Sequence, residues 1–271
     1  MSLSQADLTA YFDRIGFSGE ARPDRDTLAG LVGAHTAAIP FENLNPLLGL
    51  PVPLDSQSLM RKLVRGRRGG YCYEQNGLFS QVLETIGFDF TPLAARVLWR
   101  LDEGALTPRT HKLLLVNLPD GLVLADVGFG GAVCTGVLDL VPDTPQATPH
   151  ERYRLLQQNS EWRQQIEVGG EWRTTYRFDL TPQLPIDDEL GNWWTSASPA
   201  SHFTFSLIAA RSPQGRRQAL RNFDYAVHVP GEESKKRRLD DPEDVCDVLE
   251  RDFGIQLPDR PALVARLERL A

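Results

Sequence analysis

Arg68-Gly69-Gly70-Tyr71-Cys72-Tyr73-Glu74-Gln75-Asn76 is the stretch of sequence that says most about how this chain folds. Its two glycines allow a close approach of the backbone to neighbouring groups just before a cysteine. Apolar residues at helical spacing follow from Leu78 to Ile86, and Gly87 stands where a helix end favours glycine. Cys72 is therefore predicted to begin a helix, where the helix dipole stabilises the thiolate, the nucleophilic form of the side chain.

The composition is typical of an ordinary soluble globular protein, with 41% hydrophobic and 24% charged residues among 271. A net charge of −7 argues against a general nucleic-acid binder. No apolar run approaches the roughly 20 residues that span a bilayer, and the polar N-terminus does not resemble a secretion signal. Three widely spaced cysteines form a poor disulfide framework and match no zinc pattern, so we expect a cytoplasmic protein without a metal.

The hydrophobic periodicity changes along the chain, which indicates an α+β protein. Residues up to about 88 have the spacing of helices, whereas residues 88–180 contain short runs typical of strands in an antiparallel sheet or small barrel. The prolines and acidic residues of 182–189 predict a linker, and 192–201 is expected to be irregular. A strand over 202–210, further strands and two helices are predicted to follow.

A predicted hairpin brings a histidine and an aspartate into reach of each other. Pro119-Asp120-Gly121 separates two strand-like runs that carry His111 and Asp126. A two-residue loop pairs Leu118 with Gly121 and places His111 and Asp126 on one face of the sheet as diagonal neighbours. A three-residue loop would place them on opposite faces. In the first register, Cys72, His111 and Asp126 supply the three groups of a nucleophilic triad.

Simpler interpretations exist for each of these residues taken alone. A lone buried cysteine is usually a small hydrophobic residue, which suits Cys134 and Cys246. His111 before an apolar strand is, by itself, more readily explained as a structural histidine, and Asp126 equally well caps a turn. His35 is expected at the surface or at a helix cap.

Several motifs together resemble the arylamine N-acetyltransferases, and the resemblance covers nearly the whole chain. It implies an acetyl-CoA-dependent enzyme that acts on arylamines or hydrazines by a ping-pong mechanism, with Cys72, His111 and Asp126 as catalytic triad. It also implies a helical bundle over 1–88, a β-barrel over 89–188 and an α/β lid over 189–271, with a catalytic core like that of papain-like cysteine proteases. The motifs are Ile39-Pro40-Phe41-Glu42-Asn43-Leu44, residues 68–76, Thr110-His111-Lys112-Leu113, Asp126-Val127-Gly128-Phe129-Gly130 and Ser201-His202-Phe203.

The resemblance also implies roles for residues around the triad. Phe129 and Phe203 are expected to line the pocket for the aromatic acceptor, although phenylalanine is also common in ordinary cores. Backbone N–H groups of a glycine-rich segment can approach a pyrophosphate such as that of CoA, although so short a glycine run is weak support. The residues expected to contact CoA are Thr110, Gly128, Gly130 and Gly131.

Arg68 has a predicted structural role beside the nucleophile. We expect it to fix the loop before Cys72 by pairing with a buried carboxylate, either Glu42 or Glu74. Basic runs usually form solvated faces, so only this arginine of the 61–68 cluster is given a structural role.

Other functions remain compatible with the same three residues. A cysteine hydrolase or a transglutaminase-like enzyme would direct the acyl group to water or lysine, and an amide synthase would take it from a carrier protein. A binding protein on an inactive scaffold is a further alternative, although the intact triad argues against it. The sequence leaves open the natural amine, the preferred acyl-CoA and whether the chain forms a homodimer.

Overall fold

The computed structural model describes residues 2–270, and its N-terminal part is a bundle of helices. Within these residues no helix is long and apolar enough to cross a membrane. A two-residue strand, β1, lies between the second and third helices, and a π-helical turn over Met60–Arg65 follows the fourth. The elements are α1 (Gln5–Ile15), α2 (Arg25–Ala38), β1 (Phe41–Glu42), α3 (Leu44–Leu47), α4 (Ser56–Leu59) and α5 (Cys72–Ile86).

Local signals explain where these helices begin and end. The side chains of Ser4 and Asp24 accept hydrogen bonds from the first turns of α1 and α2, which satisfies backbone donors that have no partner within the helix. Gly16 and Gly87 end α1 and α5 in the left-handed conformation that glycine adopts without strain. The helix predicted from Cys72 to Gly87 is therefore confirmed.

The middle of the chain forms an eight-stranded antiparallel sheet that curves into a nearly closed barrel. Along the sheet the strand order is β5-β4-β3-β2-β9-β8-β7-β6. The strands are β2 (Asp89–Val97), β3 (Arg109–Leu118), β4 (Gly121–Ala125), β5 (Leu138–Asp139), β6 (Gln146–Ala147), β7 (Arg152–Gln158), β8 (Glu161–Val168) and β9 (Glu171–Phe178).

Strand β3 belongs to two hydrophobic cores at once. Leu114 and Val116 pack into the helical bundle, whereas Leu113 and Leu115 face the barrel interior, because successive side chains of a strand point to opposite faces. Leu118 pairs with Gly121, so the two-residue hairpin register predicted from the sequence is confirmed. This register fixes which residues at the start of β3 face the end of β4.

The C-terminal part contains a second, five-stranded sheet and three helices. β1 forms one edge of this sheet by pairing with β10, so an N-terminal segment is built into the C-terminal part. The order of the strands is β1-β10-β11-β12-β13. The remaining elements are α6 (Pro185–Ala197), β10 (Ile208–Arg211), β11 (Arg217–Arg221), β12 (Asp224–His228), β13 (Lys235–Arg238), α7 (Pro242–Arg251) and α8 (Arg260–Leu267).

Arg217 joins this second sheet to the barrel. Its Nε lies 2.9 Å from both carboxylate oxygens of Glu151, and its Nη2 donates to the Tyr153 hydroxyl at 3.2 Å. The Tyr153 hydroxyl in turn donates to the carbonyls of Ala132 and Val133, at 3.2 and 3.1 Å. The barrel, the second sheet and the segment after Gly131 are thus held together by one buried network.

The α+β fold class is confirmed, but two local predictions are wrong. Helix α6 replaces the predicted linker and irregular segment, because Pro185 occupies its first turn and the Asp187 carboxylate accepts from the Leu184 N–H at 3.1 Å. The strand predicted over 202–210 begins only at Ile208, after a 3₁₀ turn over His202–Thr204. The boundaries between the three parts stay a prediction, and α6 runs through the one placed at 188.

Candidate active site

Cys72 is the first residue of α5 and lies where the helical bundle meets β3. Only 4% of the residue is exposed, and its Sγ lies 3.4 Å from the carbonyl oxygen of Thr110. The Tyr71 N–H donates to the Glu74 carboxylate at 3.2 Å, which fixes the entry into the helix. The Glu74 N–H donates to the Tyr71 carbonyl at 3.0 Å, whereas the N–H groups of Cys72 and Tyr73 at the start of the helix have no acceptor within it, so they provide a positive environment beside the sulfur.

Positions 69 and 70 require glycine because neighbouring atoms leave no room for a side chain, and not because of the backbone conformation. A Cβ atom at Gly69 would lie 1.9 Å from the carbonyl oxygen of Pro40, and one at Gly70 would lie 2.6 Å from Oε2 of Glu74. Neither distance leaves room for a side chain. The close approach predicted for this glycine pair therefore occurs, and it brings the loop before Cys72 against β1.

A group of buried charges lies behind this loop. Arg68 Nη2 lies 2.7 Å from Oε1 of Glu42, and Lys62 Nζ lies 2.6 Å from Oε1 of Glu74. Burial alone would raise the pKa of Glu42, but the positive charges of Arg68 and Lys62 outweigh it, and the pKa is lowered. Burial dominates at Glu74 and raises its pKa. Of the two carboxylates considered for Arg68, the structure pairs it with Glu42.

His111 and Asp126 meet at the open end of the β3–β4 hairpin. The distance from His111 Nε2 to Asp126 Oδ2 is 2.6 Å, and 3% of His111 is exposed. Burial favours the neutral imidazole, but the charge of Asp126 and hydrogen bonds with Asp126 and Cys72 outweigh burial and raise the pKa of His111 to about 10. The imidazole is therefore charged at neutral pH, and its charge is stabilised by Asp126 and by the neighbouring Cys72 side chain.

Asn76 connects the helix that carries Cys72 to both strands of the hairpin. Its Nδ2 donates to the Lys112 carbonyl at 2.7 Å and to Asp126 Oδ1 at 2.9 Å, while its Oδ1 accepts from the Val127 N–H at 3.0 Å. The residue lies one turn after Cys72 in α5 and is fully buried. Sequence reasoning gave it no role, although this spacing places it on the same helix face as the nucleophile.

The segment after Asp126 contains the glycines expected to contact CoA. A Cβ atom at Gly128 would lie 2.7 Å from Cys72 Cα, and the Gly128 N–H donates to Asp126 Oδ1 at 2.9 Å. Gly128 therefore allows the hairpin to pack against α5, and its N–H is already used. Gly130 has a φ of +83°, and exposed Gly131 has open space where a Cβ would be. Among residues 2–270, no group of three or more His, Cys, Asp or Glu residues is arranged to hold a metal.

The two phenylalanines with expected substrate roles contact different aromatic rings near Cys72 and His111. The Phe129 ring meets the His111 ring edge-on at a centroid distance of 5.1 Å. The Phe203 ring lies 5.6 Å from that of Tyr71 and 5.9 Å from that of Phe41. Both phenylalanines are only partly buried, so each retains aromatic surface next to the site.

Helix α6 contacts residues adjacent to Cys72 and His111, which the sequence did not predict. Gly191 packs so closely on Tyr73 that a Cβ would lie 1.9 Å from the tyrosine hydroxyl oxygen. Two polar contacts accompany this packing. They are the ion pair between Lys112 and Asp188 and the hydrogen bond from the Tyr71 hydroxyl to Asn192.

The expectation that His35 lies at the surface or at a helix cap is wrong. His35 is fully buried in the helical bundle, where its Nδ1 lies 2.8 Å from the Tyr11 hydroxyl and its Nε2 lies 2.7 Å from Oε1 of Gln75. Gln75 Nε2 donates to the carbonyls of Pro40 and Gly70, so its Oε1 accepts from His35. Burial is the main cause that lowers the pKa of His35 to about 4.

Comparison with known proteins identifies close relatives along nearly the whole chain. Residues 24–262 match the N-acetyltransferase family model. The chain is 44% identical over 257 residues to the arylamine N-acetyltransferase of Mycolicibacterium smegmatis, covering 93% of each protein.

Solved structures give the same result for the fold. The structure of arylamine N-acetyltransferase from M. tuberculosis superposes with a TM-score of 0.93 at 44% identity, covering 96% of this chain and 99% of that one. The Mycobacterium marinum arylamine N-acetyltransferase in complex with CoA gives a TM-score of 0.93 at 40% identity, covering 97% and 99%.

Proposed function

Because the chain belongs to the arylamine N-acetyltransferase family and is an acetyltransferase, we propose that it transfers the acetyl group of acetyl-CoA to arylamines and arylhydrazines in two steps. The first step acetylates Cys72, and the second transfers the acetyl group to the acceptor nitrogen. The donor and the acceptor therefore react one after the other, which is a ping-pong mechanism.

The 2.6 Å contact of His111 with Asp126, next to Cys72, is the observation that carries this proposal. The pKa of His111 is raised to about 10, so its ring is an imidazolium at neutral pH, and a positive group beside a cysteine is typical of nucleophilic thiols. The thiolate is the form that attacks a thioester. Asp126 orients the imidazole and stabilises its positive charge through the 2.6 Å hydrogen bond.

In the first step the Cys72 thiolate attacks the carbonyl carbon of acetyl-CoA. The bond from Sγ to this carbon forms, and the negative charge that develops on the carbonyl oxygen is stabilised by N–H groups of the first turn of α5. The carbon–sulfur bond to CoA then breaks. The departing CoA thiolate takes a proton from the His111 imidazolium, which leaves acetyl-Cys72 beside a neutral imidazole.

In the second step the acceptor nitrogen attacks acetyl-Cys72. The neutral His111 accepts the proton that the nitrogen loses, directly or through a water molecule, and becomes an imidazolium again. The bond from the carbonyl carbon to Sγ breaks and returns Cys72 as a thiolate. The amide or hydrazide leaves, and the pair of charges with which the cycle began is restored.

Residues of two neighbouring segments are proposed to hold CoA, the ligand in the M. marinum relative. Gly131 is exposed with open space around it, and Gly130 adopts a backbone conformation that suits a concave arrangement of N–H groups. Thr110 lies beside the sulfur of Cys72 and so beside the thioester end. Gly128 contributes by its small size, because its N–H already binds Asp126.

Flat, weakly basic acceptors suit the aromatic surfaces next to the proposed triad. Phe129 lies against His111, and Phe203 lies against Tyr71, next to Cys72. Both rings are partly buried, so a ligand ring packed against them replaces water-exposed apolar surface. Because its nucleophile is a free thiol, we propose that the enzyme works in the reducing cytoplasm, where it acetylates foreign aromatic amines.

Intact-mass spectrometry after mixing the protein with acetyl-CoA tests the proposal. The wild type is expected to gain one acetyl group, which is lost when an aromatic hydrazine is added. Cys72→Ala is expected to gain none. Cys246→Ala is the matched control, because it removes a buried cysteine outside the site and should acquire the acetyl group as the wild type does.

The same experiment distinguishes the competing functions. Loss of the acetyl group to water at the same rate with and without hydrazine would indicate a hydrolase. Absence of any adduct on a wild-type protein with a reduced Cys72 would contradict the use of acetyl-CoA and favour an amide synthase with another donor.

A further inference from the structure

Helix α6 exposes an unusual amount of apolar surface. Leu184, Ile186, Leu190 and Trp193 are 61%, 58%, 66% and 64% exposed. The last three follow one another at intervals of four and three residues, so they form a single stripe along the helix. Contiguous exposed surface of this kind on a globular protein marks an interaction site.

A cavity of about 920 Å³ lies at the C-terminal end of this stripe. Its walls are the mostly apolar segment 47–52, the end of α6 at Trp193 and Ala197, and part of α8. Among the described residues, 2–270, the charged side chains that line it are Arg266 and Arg269, and none of the lining residues is acidic. Arg266 donates to the carbonyls of Leu47 and Thr204, at 3.1 and 2.8 Å, and within the same residues neither arginine forms an ion pair.

We propose that a second copy of this chain binds here, with the two α6 helices antiparallel across a two-fold axis near Leu190. A two-fold interface is self-complementary, so each copy must carry both a projecting and a receiving surface. Leu184 and Ile186 project from the N-terminal end of the stripe, and the cavity lies beyond its C-terminal end. Antiparallel pairing inserts the two projecting side chains of each copy into the cavity of the other.

The distribution of charge favours a second copy of the chain as the binding partner, and it favours antiparallel over parallel pairing of the two α6 helices. Asp187 and Glu189 are exposed at the N-terminal end of the stripe, whereas Arg266 and Arg269 lie at the other end. Antiparallel pairing places the acids of one copy against the arginines of the other, which favours the complex. Parallel pairing would place like charges together. An anionic membrane surface would be repelled by the acidic end of the helix.

The exposed stripe lies on the opposite side of α6 from the neighbours of Cys72 and His111, whereas the cavity extends as far as Asn192. Gly191, Asn192 and Asp188 hold the inner face of the helix against the neighbours of Cys72 and His111. A second copy on the outer face therefore braces α6 without blocking the triad. The inference does not depend on the acetyl-transfer chemistry.

The mass of the protein in solution, measured by analytical ultracentrifugation over a range of concentrations, tests the proposal. The wild type should approach the mass of two chains, against 30.3 kDa for one. Leu190→Asp places a charge at the centre of the interface and should raise the dimer dissociation constant at least about 30-fold, the size expected for a central contact. Leu106→Asp is the matched control, since Leu106 is 93% exposed on the loop between β2 and β3, outside the proposed interface, and its change should leave the dimer intact.

Cysteine cross-linking tests the direction of pairing. Leu190→Cys near the axis should give a disulfide-linked dimer on mild oxidation, because the two Cα atoms come within disulfide range. Ala197→Cys lies seven residues further along α6, so in antiparallel pairing its two copies are about 20 Å apart and should not cross-link. The three natural cysteines are buried, and the wild type supplies the background.

Three results would overturn the proposal. The first is a wild type with the mass of one chain at every concentration. The second is a dimer that Leu190→Asp leaves unchanged, although the variant keeps the wild-type circular dichroism spectrum. The third is cross-linking at Ala197→Cys as fast as at Leu190→Cys, which would require another arrangement of the helices.

Discussion

The helical bundle and the barrel each bury a histidine, and the two histidines are shifted in opposite directions. His35 lies between Tyr11 and Gln75, and burial lowers its pKa to about 4. His111 is equally enclosed, yet Asp126 and Cys72 overcome burial and raise its pKa to about 10. Burial therefore decides the charge of His35, whose hydrogen-bond partners are neutral, but not that of His111. At His111 the charged partner decides.

The difference separates a structural histidine from a chemical one. The partners of His35 are neutral, so the ring is uncharged and holds Gln75, whose amide binds the loop before Cys72. The partner of His111 is a carboxylate, so the ring is charged. One buried imidazole shapes the loop before Cys72, and in the mechanism that we propose the other exchanges protons with the reactants.

Replacing the carboxylate of Asp126 should have the largest effect, a loss of activity. Asp126→Asn gives His111 a neutral partner, as His35 has, so the imidazolium loses its stabilisation. We expect kcat/KM to fall about 10⁴-fold, the loss seen when such an aspartate is changed in a serine-histidine-aspartate triad. Asp120→Asn, at the tip of the same hairpin, is the control and should retain nearly full activity. A loss of less than tenfold in Asp126→Asn would show that the carboxylate is dispensable.

The second largest effect, a loss of stability, is expected from removing a buried positive charge in the helical region. Arg68→Met leaves the buried carboxylate of Glu42 without its main partner, so the free energy of unfolding should fall by about 3–5 kcal/mol. Urea denaturation measures it. Arg152→Met, which breaks an exposed pair with Glu167, should remain close to the wild type. Arg68→Lys keeps the charge but loses the forked geometry, and unchanged stability and activity in this variant would contradict the assigned role.

The two histidines should make stability depend on pH with opposite signs. The folded pKa of His35 is below that of the unfolded chain, so stability is lost as the pH falls from about 6.5 to about 4, by up to about 3 kcal/mol. His111 has a raised folded pKa, so its contribution is complete below about 6.5 and is lost as the pH rises towards 10. Unfolding free energies at several pH values should give a shallower acid slope for His35→Gln than for the wild type. Equal slopes would mean that His35 has the same pKa in the folded and the unfolded chain, which would contradict the lowered folded pKa.

The smallest effect is expected from loosening the contact between the barrel at Gly128 and helix α5 at Cys72. In Gly128→Ala the added Cβ would lie 2.7 Å from Cys72 Cα, so α5 and the hairpin must move apart. The free energy of unfolding should fall by about 1–3 kcal/mol, and acetylation of Cys72 should become slower. Gly104→Ala, which has open space around its Cβ, is the control. A Gly128→Ala enzyme with wild-type stability and rate would show that the contact is not tight.

Features that depend on neighbouring residues could be predicted from the sequence. The helix beginning at Cys72 follows from the glycine pair, the apolar spacing and Gly87, all within one segment. The hairpin register follows from a two-residue loop at Pro119 and Asp120. Those two local facts are enough to predict that His111 and Asp126 meet.

Features that depend on distant partners could not be predicted in this way. The burial of His35 requires Tyr11 and Gln75, which lie 24 and 40 residues away along the chain. Helix α6 carries recognisable start signals at Pro185 and Asp187, but its stripe faces solvent instead of a core, so prolines and acids in sequence indicated a linker. The contacts of Asn76 likewise depend on a hairpin 36 to 51 residues further on.

The central claim is that Asp126 keeps His111 charged while His35 stays neutral, and a titration of both imidazoles by NMR tests it most directly. Protein labelled with ¹⁵N in its five histidines allows both ring nitrogens to be followed with pH, and His35→Gln and His111→Gln assign the signals. The account predicts that at pH 7.5 His111 is an imidazolium, which loses its proton only near pH 10, and that His35 is neutral with the proton on Nε2. A neutral His111 at pH 7.5 in the wild-type enzyme would contradict it.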